Sequence, residues 1–207
     1  MHNSTQHTSP RGHDLTEGYF AYGTDMDEDI LRSKGVKPRY LGLARLGGYQ
    51  LAFRGHSEIW DSGLETLVES PESEVWGALY SLTMLDWDRL DAWMGARLDG
   101  AGMYFHYPVM VTDSDGEPRH VRLYKKDILG PQVLPSREYL QLIVRGALKR
   151  MLPQAYIEKL QSMEARPASY GVPAAGNPHR SVYSPSDCRT CETGADEPLV
   201  AISRRPL

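Results

Sequence analysis

The sequence predicts an α+β protein built on a small mixed β-barrel of five to six strands with flanking helices. Three observations predict it. Short strand-like segments recur from residue 18 to residue 128, two later segments carry apolar residues at helical spacing behind recognisable caps, and an Asp-Gly turn joins two of the strand-like segments.

The strand-like segments are "GYFAYG" at 18–23, "YLGLARLGGYQLAF" at 40–53 with glycines at its bends, "LETLVES" at 64–70, "EVWGALYSL" at 74–82, "MYFHYPVMVTD" at 103–113 and "HVRLYKKDI" at 120–128. Between the last two, "DSDGEP" at 113–118 has the chemistry of a hairpin turn. A first helix is expected over "TMLDWDRLDAWMG" at 83–95. Thr83 followed by Asp86 is an acidic variant of the capping box, Gly95 can close the last turn, and Leu82, Leu85, Leu90 and Trp93 can share an apolar face. A second helix, "SREYLQLIVRGALKRM" at 136–151, carries a stripe of Leu140, Ile143, Val144, Ala147, Leu148 and Met151. A shorter one follows over "LPQAYIEKLQSME", with Pro153 in a tolerated first-turn position.

Residues 1–17 are polar and lack a periodic apolar face, so they read as a disordered tail before a body spanning 18–163. Residues 164–207 are rich in proline and glycine and read as an extension, either a loose tail or an arm that wraps the body with Tyr170 and Tyr183 to bury. At 207 residues, 41% of them hydrophobic and 24% charged, the composition is that of a soluble globular protein. A net charge of −4 without a basic stripe gives no reason to expect nucleic acid as a partner, and no apolar run is long enough to span a membrane. The start lacks a secretory apolar segment, which points to a cytoplasmic protein. Cys188 and Cys191 have metal-ligand spacing with His179 nearby, but half a zinc site is missing, so no metal is expected.

The stretch with most chemistry is "YFAYGTDM" at 19–26. A strand end that turns at Gly23 can converge successive main-chain N–H groups on one point, making a cradle for a carboxylate or phosphate to which Thr24 adds a hydroxyl. The same triplet also reads as a plain turn.

That stretch, together with "LARLGGYQLAFRG" at 43–55, "SEVWGALYSL" at 73–82, "RLDAWMG" at 89–95, "GMY" at 102–104 and "PSREYLQLIVRGALKRMLPQAYIEKL" at 135–160, resembles the γ-glutamylcyclotransferase-like (AIG2-like) family in content and in order over residues 18–163. The resemblance implies a β-barrel with flanking helices and a reaction without cofactor or metal. In that reaction the α-amine of a γ-glutamyl group attacks its own γ-carbonyl, releasing an amine and leaving 5-oxoproline. It implies that Tyr22, Gly23, Thr24 and Asp25 hold the amino-acid headgroup of a small-molecule substrate. It also implies a glutamate as proton shuttle at the position that here holds Met94, whose thioether has no proton to give.

The chain departs from the family pattern again at Asp25, where asparagine is usual. Asp25 can pair with the substrate's amine, act as a base, or simply cap the acidic segment that follows. A longer loop brings in Asp99, either a replacement acid or a solvated turn residue. Asp91, one helical turn before Met94, suits a supporting role. His106 can titrate near neutral pH or pack structurally, and Tyr104 and Tyr124 either orient a small polar substrate at the barrel mouth or belong to the core. Three functions stay open: a cyclotransferase-type enzyme, a biosynthetic tailoring enzyme of another reaction type on an amino-acid-like substrate, and an inactive small-molecule-binding protein.

Overall fold

In the computed structural model, which describes residues 16–97, 99 and 102–173, five strands close into a barrel in the order β1, β3, β2, β4, β5. They are β1 (Thr16–Ala21), β2 (Arg39–Ser57), β3 (Ser62–Thr83), β4 (Phe105–Asp113) and β5 (Pro118–Lys125). All neighbours are antiparallel except β1 and β5, which close the barrel in parallel with Tyr19 opposite Arg122. Four helices flank it: α1 (Glu28–Ser33), α2 (Met84–Met94), α3 (Arg137–Lys149) and α4 (Gln154–Gln161).

Two strands are far longer than the sequence predicts. "LETLVES" and "EVWGALYSL" form one strand, β3, of 22 residues, which pairs along most of the 19 residues of β2. The glycines that read as bends in β2 are irregularities inside a continuous ladder: Gly42 (φ 145°) and Gly48 (φ 80°) sit at register shifts, where positive φ lets the strand twist and curl round the barrel. The Asp-Gly hairpin is found as expected, with Asp113 accepting the amides of Asp115 and Glu117 and β4 pairing β5 on either side.

The capping box of α2 forms in both directions between Thr83 and Asp86, and Gly95 closes the helix in the left-handed region. The buried face differs from the expected one. Trp87, Leu90 and Asp86 face inward, whereas Leu85 and Trp93 are exposed. Asp86 is turned inward because it also accepts the Lys37 amide, so the cap fixes which side of α2 meets the barrel. In α3 the inward face is Tyr139, Leu140, Leu142, Ile143, Gly146 and Ala147; Leu148 and Met151 of the expected stripe are exposed. At Gly146 the helix backbone approaches the turn after β1, where a Cβ would come within 3.0 Å of the Met26 Cβ.

Strand β1 begins at Thr16, two residues before the predicted body. Beyond Met163 the chain lies against the body as far as it is described: Arg137 donates its amide to the Arg166 carbonyl and Arg166 to that of Pro135. Tyr183, Cys188, Cys191 and His179 fall outside the described residues. Among those described, no helix is long and apolar enough to cross a membrane.

Candidate active site

Strand β1 ends in a 3-10 turn, Thr24–Met26, whose position is fixed from three sides. Met26 and Asp27 donate their amides to the carbonyls of Gly23 and Thr24, Tyr80 donates its hydroxyl to the Met26 carbonyl at 2.8 Å, and Tyr22 donates to the Tyr124 carbonyl. Asp27 rather than Asp25 caps the acidic segment, accepting the Asp29 amide at the start of α1 while Arg145 and Lys149 neutralise it.

Beside the turn lies a small hollow lined by Tyr19, Tyr22, Gly23, Asp25, Glu65, Met94 and Tyr124. Its walls come from β1 and the turn, the start of β3, the last turn of α2 and the end of β5. Sequence reasoning missed Glu65 and Tyr19. Glu65 is buried, and its Oε1 accepts from the Thr24 amide (3.3 Å) and the Thr24 hydroxyl (3.2 Å). The Thr24 N–H, expected to hold an incoming anion, therefore already serves a carboxyl group of the protein. Glu65 Oε2 is buried without a hydrogen-bond partner among the described residues. Burial, with a smaller contribution from the negative Asp25, raises the Glu65 pKa above the ordinary glutamate range.

Gly23 has a second reason to be glycine. Its φ is −114°, so the turn does not need the left-handed region. The need is for space: a Cβ there would lie 2.6 Å from Glu65 Oε1 and 2.7 Å from its Cγ.

Asp25 is buried and committed. Lys34 at the end of α1 places its ammonium 2.5 Å from Oδ1, and Tyr19 donates its hydroxyl to Oδ2 at 2.9 Å. Burial first and Asp25 second push the Tyr19 phenol well above its usual pKa, so it remains a donor. The hollow thus holds two carboxyl groups in unlike settings, one ion-paired and one desolvated.

Tyr124 lines the hollow with its ring and donates its hydroxyl to Asp91 Oδ1 in a short hydrogen bond. The same oxygen lies 2.6 Å from His106 Nε2, and the Arg122 guanidinium reaches His106 Nδ1 at 3.1 Å. Since a guanidinium can only donate, Nδ1 accepts from Arg122 and Nε2 faces Asp91, which places His106 as a packed residue supporting Tyr124. Tyr104 donates to the Glu65 carbonyl at 2.8 Å, fixing the backbone from which the Glu65 side chain projects. Asp99 is exposed and forms a two-pronged contact with Arg97 rather than lining the hollow. Among the described residues no cluster of three His, Cys, Asp or Glu side chains is placed to hold a metal ion.

Glu65 left a faint signal in the sequence. On a strand, Gly63, Glu65 and Leu67 share one face, and Leu67 is fully buried. Leu64 and Val68 make the opposite face apolar too, so alternation does not say which face is inward.

Comparison with known proteins agrees with this architecture. Residues 74–160 match the model of the AIG2-like family. The γ-glutamylcyclotransferase of Bos taurus is 31% identical over 150 residues, covering 70% of this chain and 78% of that protein. That of Mus musculus is 30% identical over 161 residues, covering 74% and 84%. A solved structure described as a γ-glutamyl cyclotransferase superposes with a TM-score of 0.71 at 27% identity, over 77% of this chain and 94% of that one. A five-strand barrel with the turn at the end of β1, and identity at this level over most of both chains, lead to one assignment: the chain belongs to the γ-glutamylcyclotransferase family.

Proposed function

We propose that the chain is an enzyme that releases an amine from a γ-glutamyl or related aminoacyl substrate by internal cyclisation, leaving 5-oxoproline when the acyl group is γ-glutamyl. The observation that carries this reading is the hollow at the end of β1, walled by the Tyr22–Asp25 turn and containing two buried carboxyl groups. Cyclisation needs the acyl chain folded so that its amine meets its own carbonyl, and a confined polar site favours that conformer. It also needs a carboxylate beside the amine and hydroxyl donors that orient the headgroup. Asp25, paired with Lys34, meets the amine; Tyr22, Gly23 and Tyr124 shape the wall against the acyl chain; Tyr104 and Thr24 act through Glu65. Asp99, tied to Arg97 on the surface, has no part in this reading.

The test is incubation of the purified protein with a panel of γ-glutamyl amines and peptides and measurement of 5-oxoproline and free amine. Formation of both in equal amounts is expected; none across the panel overturns the reading. Met94 in the wall favours one second reading, a binding protein without turnover. Thermal stabilisation by the same compounds with no product released would establish that one.

A further inference from the structure

Resting on that reading, we propose that Glu65 is the catalytic proton carrier of the cyclisation, doing from near the start of β3 the work that Met94 at the end of α2 cannot do.

Met94 lines the hollow but carries no titratable group. Asp25 also lines it, yet both of its oxygens are engaged, one by Lys34 and one by Tyr19. Tyr19, Tyr22 and Tyr124 are held far into the phenol form by burial. Glu65 is the remaining acid–base group in the wall, and its two oxygens are unlike each other. Thr24 holds Oε1 through its amide and its hydroxyl, which fixes the carboxyl plane; Oε2 has no partner among the described residues. The molecule also accommodates this side chain at some cost elsewhere. Gly23 gives up its Cβ to let Glu65 lie against the turn, and Tyr104 bonds the Glu65 carbonyl. A buried polar atom left unbonded is disfavoured, so its retention beside a hollow marks a place where a ligand group completes the set.

The step balances on one proton. The amine nitrogen of the acyl group attacks its own carbonyl carbon and forms the new C–N bond. The proton lost by that nitrogen passes to the Glu65 carboxylate at Oε2. As the tetrahedral intermediate collapses and the original C–N bond breaks, the same carboxyl returns the proton to the departing nitrogen. Glu65 ends as it began, ionised, and no other reactant is consumed. Desolvation makes the ionised carboxylate a stronger base than an exposed glutamate. Among the described residues, the charged and titratable groups around it are Asp25 from the turn, Lys34 just after α1, Tyr22 just after β1, Tyr104 before β4, and Lys126 after β5.

The experiment compares wild type, Glu65→Gln, and the double variant Glu65→Ala/Met94→Glu with a γ-glutamyl amine that the wild type turns over. The expected result is a fall in kcat of about 100-fold or more for Glu65→Gln with KM little changed, and partial recovery in the double variant. Wild-type kcat/KM should rise with pH along a limb that coincides with the Glu65 carboxyl titration followed by ¹³C NMR in the wild-type protein, and Glu65→Gln should lack that limb. Because the titration and the rate limb are both read on the wild type, the inference stays testable even if Glu65→Gln fails to fold. A rate limb that does not follow the Glu65 titration, or a folded Glu65→Gln within threefold of wild type, overturns the role of Glu65 and leaves the cyclisation reading intact. A wild type that produces no 5-oxoproline from any γ-glutamyl amine overturns both.

Discussion

Gly23 and Glu65 occupy one shared volume: where Gly23 would carry a Cβ, the Oε1, Cγ and Cδ atoms of Glu65 lie within 2.6 to 2.9 Å. The turn at the end of β1 and the carboxyl on β3 therefore depend on each other, and substitution at either position is read through the other. Gly23→Ala should destabilise the protein by about 1–3 kcal/mol, the usual cost of overpacking a closed site. In a Glu65→Ala background the same change should cost little, because the colliding atoms are gone. Denaturant unfolding of the four proteins in this double-mutant cycle measures the coupling directly. Additive effects would mean that Gly23 is required for a reason other than Glu65.

Glu65 also gives the fold a pH dependence with a defined sign. Burial raises its pKa above the reference value of 4.5, so the folded state binds the proton more tightly than the unfolded chain does. The stability it contributes is complete below about pH 4.5, where both states are protonated, and is lost as pH rises through the folded-state pKa. Glutamine cannot ionise. The stability of wild type relative to Glu65→Gln should therefore fall as pH increases above 4.5, by about 1.4 kcal/mol per pH unit, and level off above the folded pKa. Thermal or urea unfolding of the pair across pH 4 to 9 tests this; a difference independent of pH would show that Glu65 is not desolvated in solution.

Lys34 and Asp25 form an ion pair inside the site, with the ammonium 2.5 Å from the carboxylate and the two side chains 14% and 5% exposed. Removing one member of such a pair leaves the other uncompensated. Lys34→Met should lower stability by about 3 kcal/mol, and the double variant Asp25→Asn/Lys34→Met should regain most of it. The comparison is made by urea denaturation at neutral pH. Equal stabilities for Lys34→Met and wild type would show that the pair is open to water.

What the sequence revealed and what it hid follow a physical division. The Asp113–Glu117 turn, the Thr83–Asp86 box and the N-terminal cap of α3 at Ser136 were legible because each rests on contacts between residues within a few positions of one another. The inward face of α2 was not, because the Asp86 bond to the Lys37 amide, 49 positions away, decides that Trp87 rather than Leu85 is buried. The continuity of β3 was hidden by Pro71 between its two predicted halves, and the glycines read as bends in β2 mark bulges in a curved strand as readily as they mark turns. The turn at 22–25 and the tyrosines 22 and 124 were picked out, and all of them border or shape the hollow. Glu65 stayed hidden since an acidic residue in a strand reads as a solvated position unless the opposing strand, here the chain around Gly23, is known to cover it.

Several bonds to the segment after α4 converge on one buried carboxylate, Asp61. Arg166 grips Asp61 with two nitrogens, at 2.6 and 2.9 Å, and Ser169 donates its amide to Asp61 Oδ2 at 2.7 Å. Tyr170 adds a short hydrogen bond to the Glu58 carbonyl. The Arg166 guanidinium foremost, then Ser169, hold the Asp61 pKa well below the usual carboxylate range. A lowered pKa means that the attachment is fully present above the ordinary aspartate value of 3.8 and is lost as pH falls through the folded-state value, so the strap should stay closed at mildly acidic pH. Arg166→Ala removes the charge partner and both donors at once. The Ser169 amide should then exchange with solvent at least tenfold faster at neutral pH, while amides in the barrel strands such as Leu79 and Leu123 exchange as before. Hydrogen exchange followed by NMR or mass spectrometry reads both. Unchanged exchange at Ser169 would mean that the backbone bonds of Arg166 to Pro135 and Arg137, and not the ion pair, keep this segment in place.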